Sequence, residues 1–195
     1  MPDQNSHIAL KEWAVTIEAL ASGQQILLMR KGGIHEESKD FRIIHREFLL
    51  YPTYEHQKSE LLKPEHQNSL DEMLKSDIAV DKITFSKWAR VEEVIEISDQ
   101  QNLDLINPFH IWTDEYAQGR LHWKPMVPIS IMLLRVYTIE SVTTVPVIPE
   151  YLGCTSWVDI IPEVDTSKLT PVLTDKAFQE QVDAIKGTLG LTISV

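Results

Sequence analysis

Two residue patterns in this 195-residue chain have the types and spacing to do chemistry. The first is a cationic strand exit. The stretch "WAVTIEALASGQQILLMRKGG", which begins at Trp13, ends in Arg30, Lys31, Gly32 and Gly33. The two cations can hold a phosphate or a base edge, and glycines without side chains let a ligand approach the backbone. The second pattern sets aromatic rings beside polar or basic residues, in "YPTYEHQ", "FSKWAR" and "LHWKP". A ring next to a cation is how unpaired bases are stacked and their phosphates held. Tyr51, Tyr54 and Trp123 are the candidate stacking surfaces, and Lys124 or Arg135 is a second cation. The ligand expected for such a set is a nucleic acid or a nucleotide.

Catalysis has weaker support. Glu47, Glu55 and His56 are the candidate acids or bases of an alternative reading, a small hydrolase or nuclease acting on nucleotides or nucleic acid. Glu37 and Lys39 have the acid-x-lysine spacing of some metal-dependent nucleases, but they fall in a polar loop without an apolar strand to position them. The chain has no Walker phosphate loop, dinucleotide-binding glycine fingerprint, G-x-S-x-G elbow or H-E-x-x-H helix. His35, His45, His56 and His66 share no short spacing, so no metal site is expected, and no cofactor. The lone Cys154 excludes an intramolecular disulfide and is expected to be structural. A third reading is a protein-interaction module without its own ligand.

Charge limits how a polyanion could bind. The formal net charge is -11, so the surface as a whole repels nucleic acid and any contact must be local. The window from Arg30 to Arg46 supplies a modest positive excess. Apolar runs such as "ISIMLL" are far short of the roughly 18 residues that cross a bilayer, and "MPDQNSH" lacks the order of a secretory signal. A cytoplasmic protein without a membrane partner is expected.

These residues need elements to position them. Leu10, Trp13, Ala14, Ile17, Leu20 and Ala21 recur at helical spacing and predict a helix near residues 8–22, stopped by Gly23. Gln25 to Arg30 then reads as a short internal strand. "FRIIHREFLLYP" predicts one strand or two, closed by Pro52, and residues 54–77 form a polar helical excursion divided by Pro64. "DKITFSKWARVEEVIEIS" predicts one long bent strand or a hairpin. Thr113 caps a short helix ending at Gly119, and "VPISIMLLRVYTIE" is apolar on both faces, as a central strand is. "SVTTVPVI" and "TSWVDII" add β-rich runs, and Thr174 opens a closing helix. The sum is one domain over residues 1–195, of α+β class, with a mixed, partly closed barrel-like sheet, an N-terminal helix, peripheral helices and a C-terminal helix.

Several blocks carry resemblances. "EWAVTIEALASGQQILLMRKGGI", "REFLLYPTYEHQ", "LHWKP" and "YLGCTSWV" resemble the uncharacterised bacterial family called domain of unknown function 1802 (DUF1802). Members of that family have been placed by gene association near restriction and modification functions. "LKEWAVTIEALASGQQILLMR" is similar to the entrance of ASCH domains, the branch of PUA-like folds in which a helix runs into G-x-K-x-x-E-x-R. The resemblance implies a PUA-like sheet with Arg30 carried toward a cleft, in a restriction-modification or RNA-related setting. Gly23 and Arg30 fit the pattern, whereas Gln25 replaces its lysine and Leu28 its glutamate. Those departures imply binding rather than proton chemistry.

Overall fold

The structure, a computed structural model, describes residues 5–31, 45–55, 57–75, 81–153 and 155–192. In chain order the elements are β1 (Asn5–Trp13), α1 (Ala14–Ala21), β2 (Leu27–Arg30), β3 (Glu47–Thr53), α2 (Pro64–Lys75), β4 (Lys82–Ile97) and α3 (Gln100–Leu105). There follow α4 (Asp114–His122), β5 (Ile129–Pro146), β6 (Trp157–Asp165), β7 (Leu169–Pro171) and α5 (Asp175–Thr188). The strands form a mixed sheet in the order β2-β5-β4-β3-β1-β6, with β7 added on β5, and it does not close on itself. Among the described residues only β1 and β3 pair in parallel.

The expected helix over residues 8–22 is half strand: the chain is extended through Trp13 and helical only from Ala14. Tertiary pairing decides this. Residues of β1 bond to β3 on one side and to β6 on the other, and Ala9 and Leu10 are fully buried between them. The stop at Gly23 is as expected. Its φ of 72° places it in the left-handed region, and the Gly23 and Gln24 amides donate to the carbonyls of Leu20 and Ala19, closing a Schellman ending. A Cβ on Gly23 would also meet Leu173 Cδ2 at 2.5 Å. Gly23→Ala is therefore expected to lower unfolding stability by about 2 kcal/mol, read by urea titration, with no change in any binding site.

Other boundaries differ for similar reasons. β2 lies at the end of the sheet rather than inside it, although Leu27 and Leu28 are fully covered. Pro52 does not close β3 but lies within it, opposite Glu12. Gly119 sits inside α4, where Thr113 accepts from the Tyr116 amide as the N-cap. The long strand β5 runs through "SVTTVP" without a break, and β4 is one strand with two register shifts rather than a hairpin. The excursion after β3 holds a single 3-10 turn at Ser59–Leu61 and then α2, whose only fully covered side chain is Leu70. Two apolar clusters share β4 and β5. One, containing Leu28, Trp112 and Ile185, is covered by helices, and the other gathers Tyr51, Phe85, Trp88 and Tyr151.

Candidate functional site

The Schellman turn sends β2 antiparallel along β5, and its last residue, Arg30, arrives beside the end of β1. There the Arg30 guanidinium donates to Glu12 Oε2 at 2.8 Å and to the Lys11 carbonyl at 2.7 Å. Both side chains are largely covered, at 13% and 8% exposure. Glu12 Oε1 accepts from the Trp13 amide at 2.8 Å, and the Thr53 hydroxyl donates to the Glu12 carbonyl at 3.0 Å. Two residues on, the Val15 amide donates to Gln57 Oε1 at 3.1 Å. Two amides at the start of α1, which have no partner inside the helix, are thus filled by side chains.

Aromatic rings wall this ion pair. Trp13 meets Tyr116 at 5.4 Å, Tyr116 stacks on Trp112 at 5.3 Å, and Trp112 meets His110 at 5.5 Å. The Arg120 guanidinium lies 4.8 Å from the Tyr116 ring centre. Burial raises the Tyr116 hydroxyl pKa, with Glu12 adding to the rise and Arg120 and Arg30 opposing it. Burial, helped by the Lys63 charge, pushes the His110 imidazole down to about 3. The ring is therefore neutral at physiological pH.

Six buried polar atoms in and around this cluster lack a hydrogen-bond partner among the described residues: Arg30 Nε, Gln57 Nε2, Trp112 Nε1, Thr16 Oγ1 and both ring nitrogens of His110. Outside it, among the described residues, only Trp157 Nε1 shares that condition. Three of the six can only donate, so the cluster holds buried donors beside packed aromatic rings.

The other sequence-predicted residues are dispersed. Lys31 is buried, its ammonium donating to the Leu121 carbonyl at the end of α4, and burial lowers its pKa. Gly32, Gly33, His56 and Cys154 lie outside the described residues. Tyr51 is not a free stacking surface: it packs edge-on against Phe85 and Tyr151, with the Lys11 ammonium above it. Tyr54 is half-buried just past β3. Trp123 is exposed, with the Lys124 ammonium 4.6 Å from its ring centre. Arg135 is buried and holds α5 in place through Asp175 at 2.6 Å, the Thr174 carbonyl and the Phe178 ring. Glu47 opens β3 and Glu55 lies two residues past its end, and both are exposed. No group of three or more potential metal ligands occurs among the described residues.

Glu12, Gln57, Tyr116 and Arg120 escaped the sequence reading. The available signal was Glu12, a carboxylate between Lys11 and Trp13 in "LKEW", which a helical reading assigns to a solvated face. Gln25 and Leu28, where the ASCH pattern has charged residues, serve the core. Gln25 Nε2 donates to the Leu27 carbonyl at 2.7 Å while its Oε1 accepts from the Ile111 amide at 3.0 Å, and Leu28 is fully buried.

Comparison with known proteins gives a family. A crystal structure of a serine-to-alanine mutant of ASCH from Zymomonas mobilis is 12% identical, with a TM-score of 0.42 over 94% of this chain and 98% of that one. The unsubstituted ASCH from Zymomonas mobilis is 11% identical, with a TM-score of 0.41 over 93% and 96% of the two chains. No curated protein matches the chain. The family described as "Domain of unknown function (DUF1802)" matches residues 9–184, and the chain belongs to that family.

Proposed function

We propose that this protein is a cytoplasmic PUA-like module that binds a nucleobase or nucleotide at the Glu12–Arg30 cluster, in a restriction-modification or RNA-related setting. One observation carries the reading. A covered Arg–Glu pair is set among Trp13, Trp112 and Tyr116, with unpartnered donors on Arg30, Gln57 and Trp112. Base edges present oxygen and nitrogen acceptors to such donors, and base faces stack on such rings. Recognition of one base also suits a chain whose net charge of -11 disfavours broad contact with a polyanion. No helix among the described residues is long and apolar enough to cross a membrane, which is compatible with the location proposed.

The test uses tryptophan fluorescence, since Trp13 and Trp112 flank the site. Nucleoside 5′-monophosphates should change the emission saturably. Gln57→Ala and Trp112→Phe each remove one donor and should weaken binding about tenfold, with Gln57→Ala leaving the melting temperature within a degree or two. A wild-type protein that binds none of the nucleotides, or variants that bind as well as wild type, would overturn the proposal.

A further inference from the structure

A second aromatic and cationic unit lies just past the end of α4, about two turns beyond Tyr116. Its ring is Trp123, which is 42% exposed beside Met126 at 94%. Lys124 has a φ of 50°, the only positive value at a non-glycine residue among those described, although Pro125 follows it. A residue before proline is ordinarily held extended, so this backbone is strained, and the Lys124 ammonium lies 4.6 Å from the centre of the exposed indole. The pairing repeats the one upstream, where Arg120 lies over Tyr116.

Charge is local here as well. From Tyr116 to Ile139 the chain contains no aspartate or glutamate, while Arg120, His122 and Lys124 occur within five residues in a protein of net charge -11. Residues 122–126 are all exposed. The Lys31 ammonium bonds to the Leu121 carbonyl and so ties the strand that carries Arg30 to the helix end that carries Trp123. The two aromatic units are therefore held in a common frame. Tyr116 and Trp123 are seven residues apart, roughly 10 Å along a helix axis. Stacked nucleotides advance roughly 3.4 Å each along one strand, so the gap spans about three steps.

We infer that α4 and its C-terminal turn form a second subsite for single-stranded nucleic acid, with one base stacked on Trp123 and neighbouring phosphates on Lys124 and Arg120. This rests on the proposed base site and names its ligand as a short single-stranded segment rather than a free nucleotide. Duplex would not fit, because paired bases do not offer a face to Trp123.

The experiment compares a nucleoside 5′-monophosphate, single-stranded tetranucleotides of RNA and DNA, and a duplex. The tetranucleotide should bind at least tenfold more tightly than the monophosphate, and the duplex more weakly than the tetranucleotide. Trp123→Ala should remove the gain from length while leaving monophosphate affinity and melting temperature unchanged. Lys124→Ala should reduce the slope of log affinity against log salt by about 0.7. Monophosphate binding with no gain from length, or a gain that survives Trp123→Ala, would overturn the second subsite and leave the first intact. Tetranucleotide binding that depends on Trp123, without monophosphate binding, would uphold this subsite and remove the first. Binding of neither probe would remove both.

Discussion

Replacing Arg30 with methionine is expected to lower unfolding stability by about 3 kcal/mol, because the substitution leaves the Glu12 carboxylate covered and without its partner. Glu12 is 8% exposed on its side chain, so water cannot readily take over from the guanidinium. The Lys11 carbonyl loses a donor in the same change. Adding Glu12→Gln should recover part of the loss, giving a coupling of about 1 kcal/mol or more in a double-mutant cycle, measured by urea unfolding. A chain in which Arg30→Met leaves the unfolding midpoint unchanged would show that the pair contributes nothing to the fold. This result matters for function. The sequence offers Arg30 either to a ligand or to a structural ion pair, and the structure gives it the ion pair through Nη2 while keeping Nε without a partner among the described residues. Nucleotide binding is therefore better tested through Gln57 and Trp112 than by removing Arg30.

The second large effect is a loss of stability in mild acid. The His110 pKa lies at about 3 in the folded chain, well below an ordinary imidazole at 6.5. Burial is the main cause and the Lys63 ammonium, which donates to the His110 carbonyl, the next. A group whose folded value is depressed binds protons more readily when unfolded. Its neutral form thus supports the fold fully above about pH 6.5, and that support is lost as pH falls toward 3. At pH 5 the loss from His110 alone is about 2 kcal/mol. His66 is displaced in the same direction by burial and adds to it. The melting temperature should fall between pH 7 and pH 5, and His110→Gln should flatten that fall. A slope unchanged in His110→Gln would show that the ring is not protonated on unfolding in this range.

Local features of the chain were legible wherever a short-range rule acts without competition. Gly23 ended α1 because only glycine takes a left-handed conformation at no steric cost. Thr113 and Thr174 capped α4 and α5 because a hydroxyl can reach an amide three residues on. Phe178, Val182 and Ile185 faced inward at helical spacing. Arg30 could be singled out because a cation closes an apolar strand, and Trp123 with Lys124 because a large ring stands beside a charge among polar neighbours.

What tertiary structure alone decided was which residues meet. Leu10 and Trp13 satisfy a helical stripe and a buried strand equally well, and pairing of β1 with both β3 and β6 chose the strand. That choice turned Glu12 from a solvated helix residue into the partner of Arg30. Tyr51 reads like Trp123 in sequence, each an aromatic among polar residues, but one lies beneath Lys11 in the core and the other on the surface. The difference comes from position in the sheet, which no local pattern encodes. Composition, caps and periodicity together determined an α+β chain with a cationic strand exit. The site itself joins Glu12, Arg30, Gln57 and Tyr116 across up to 104 residues of sequence, and such contacts arise only when the whole sheet and α4 pack together.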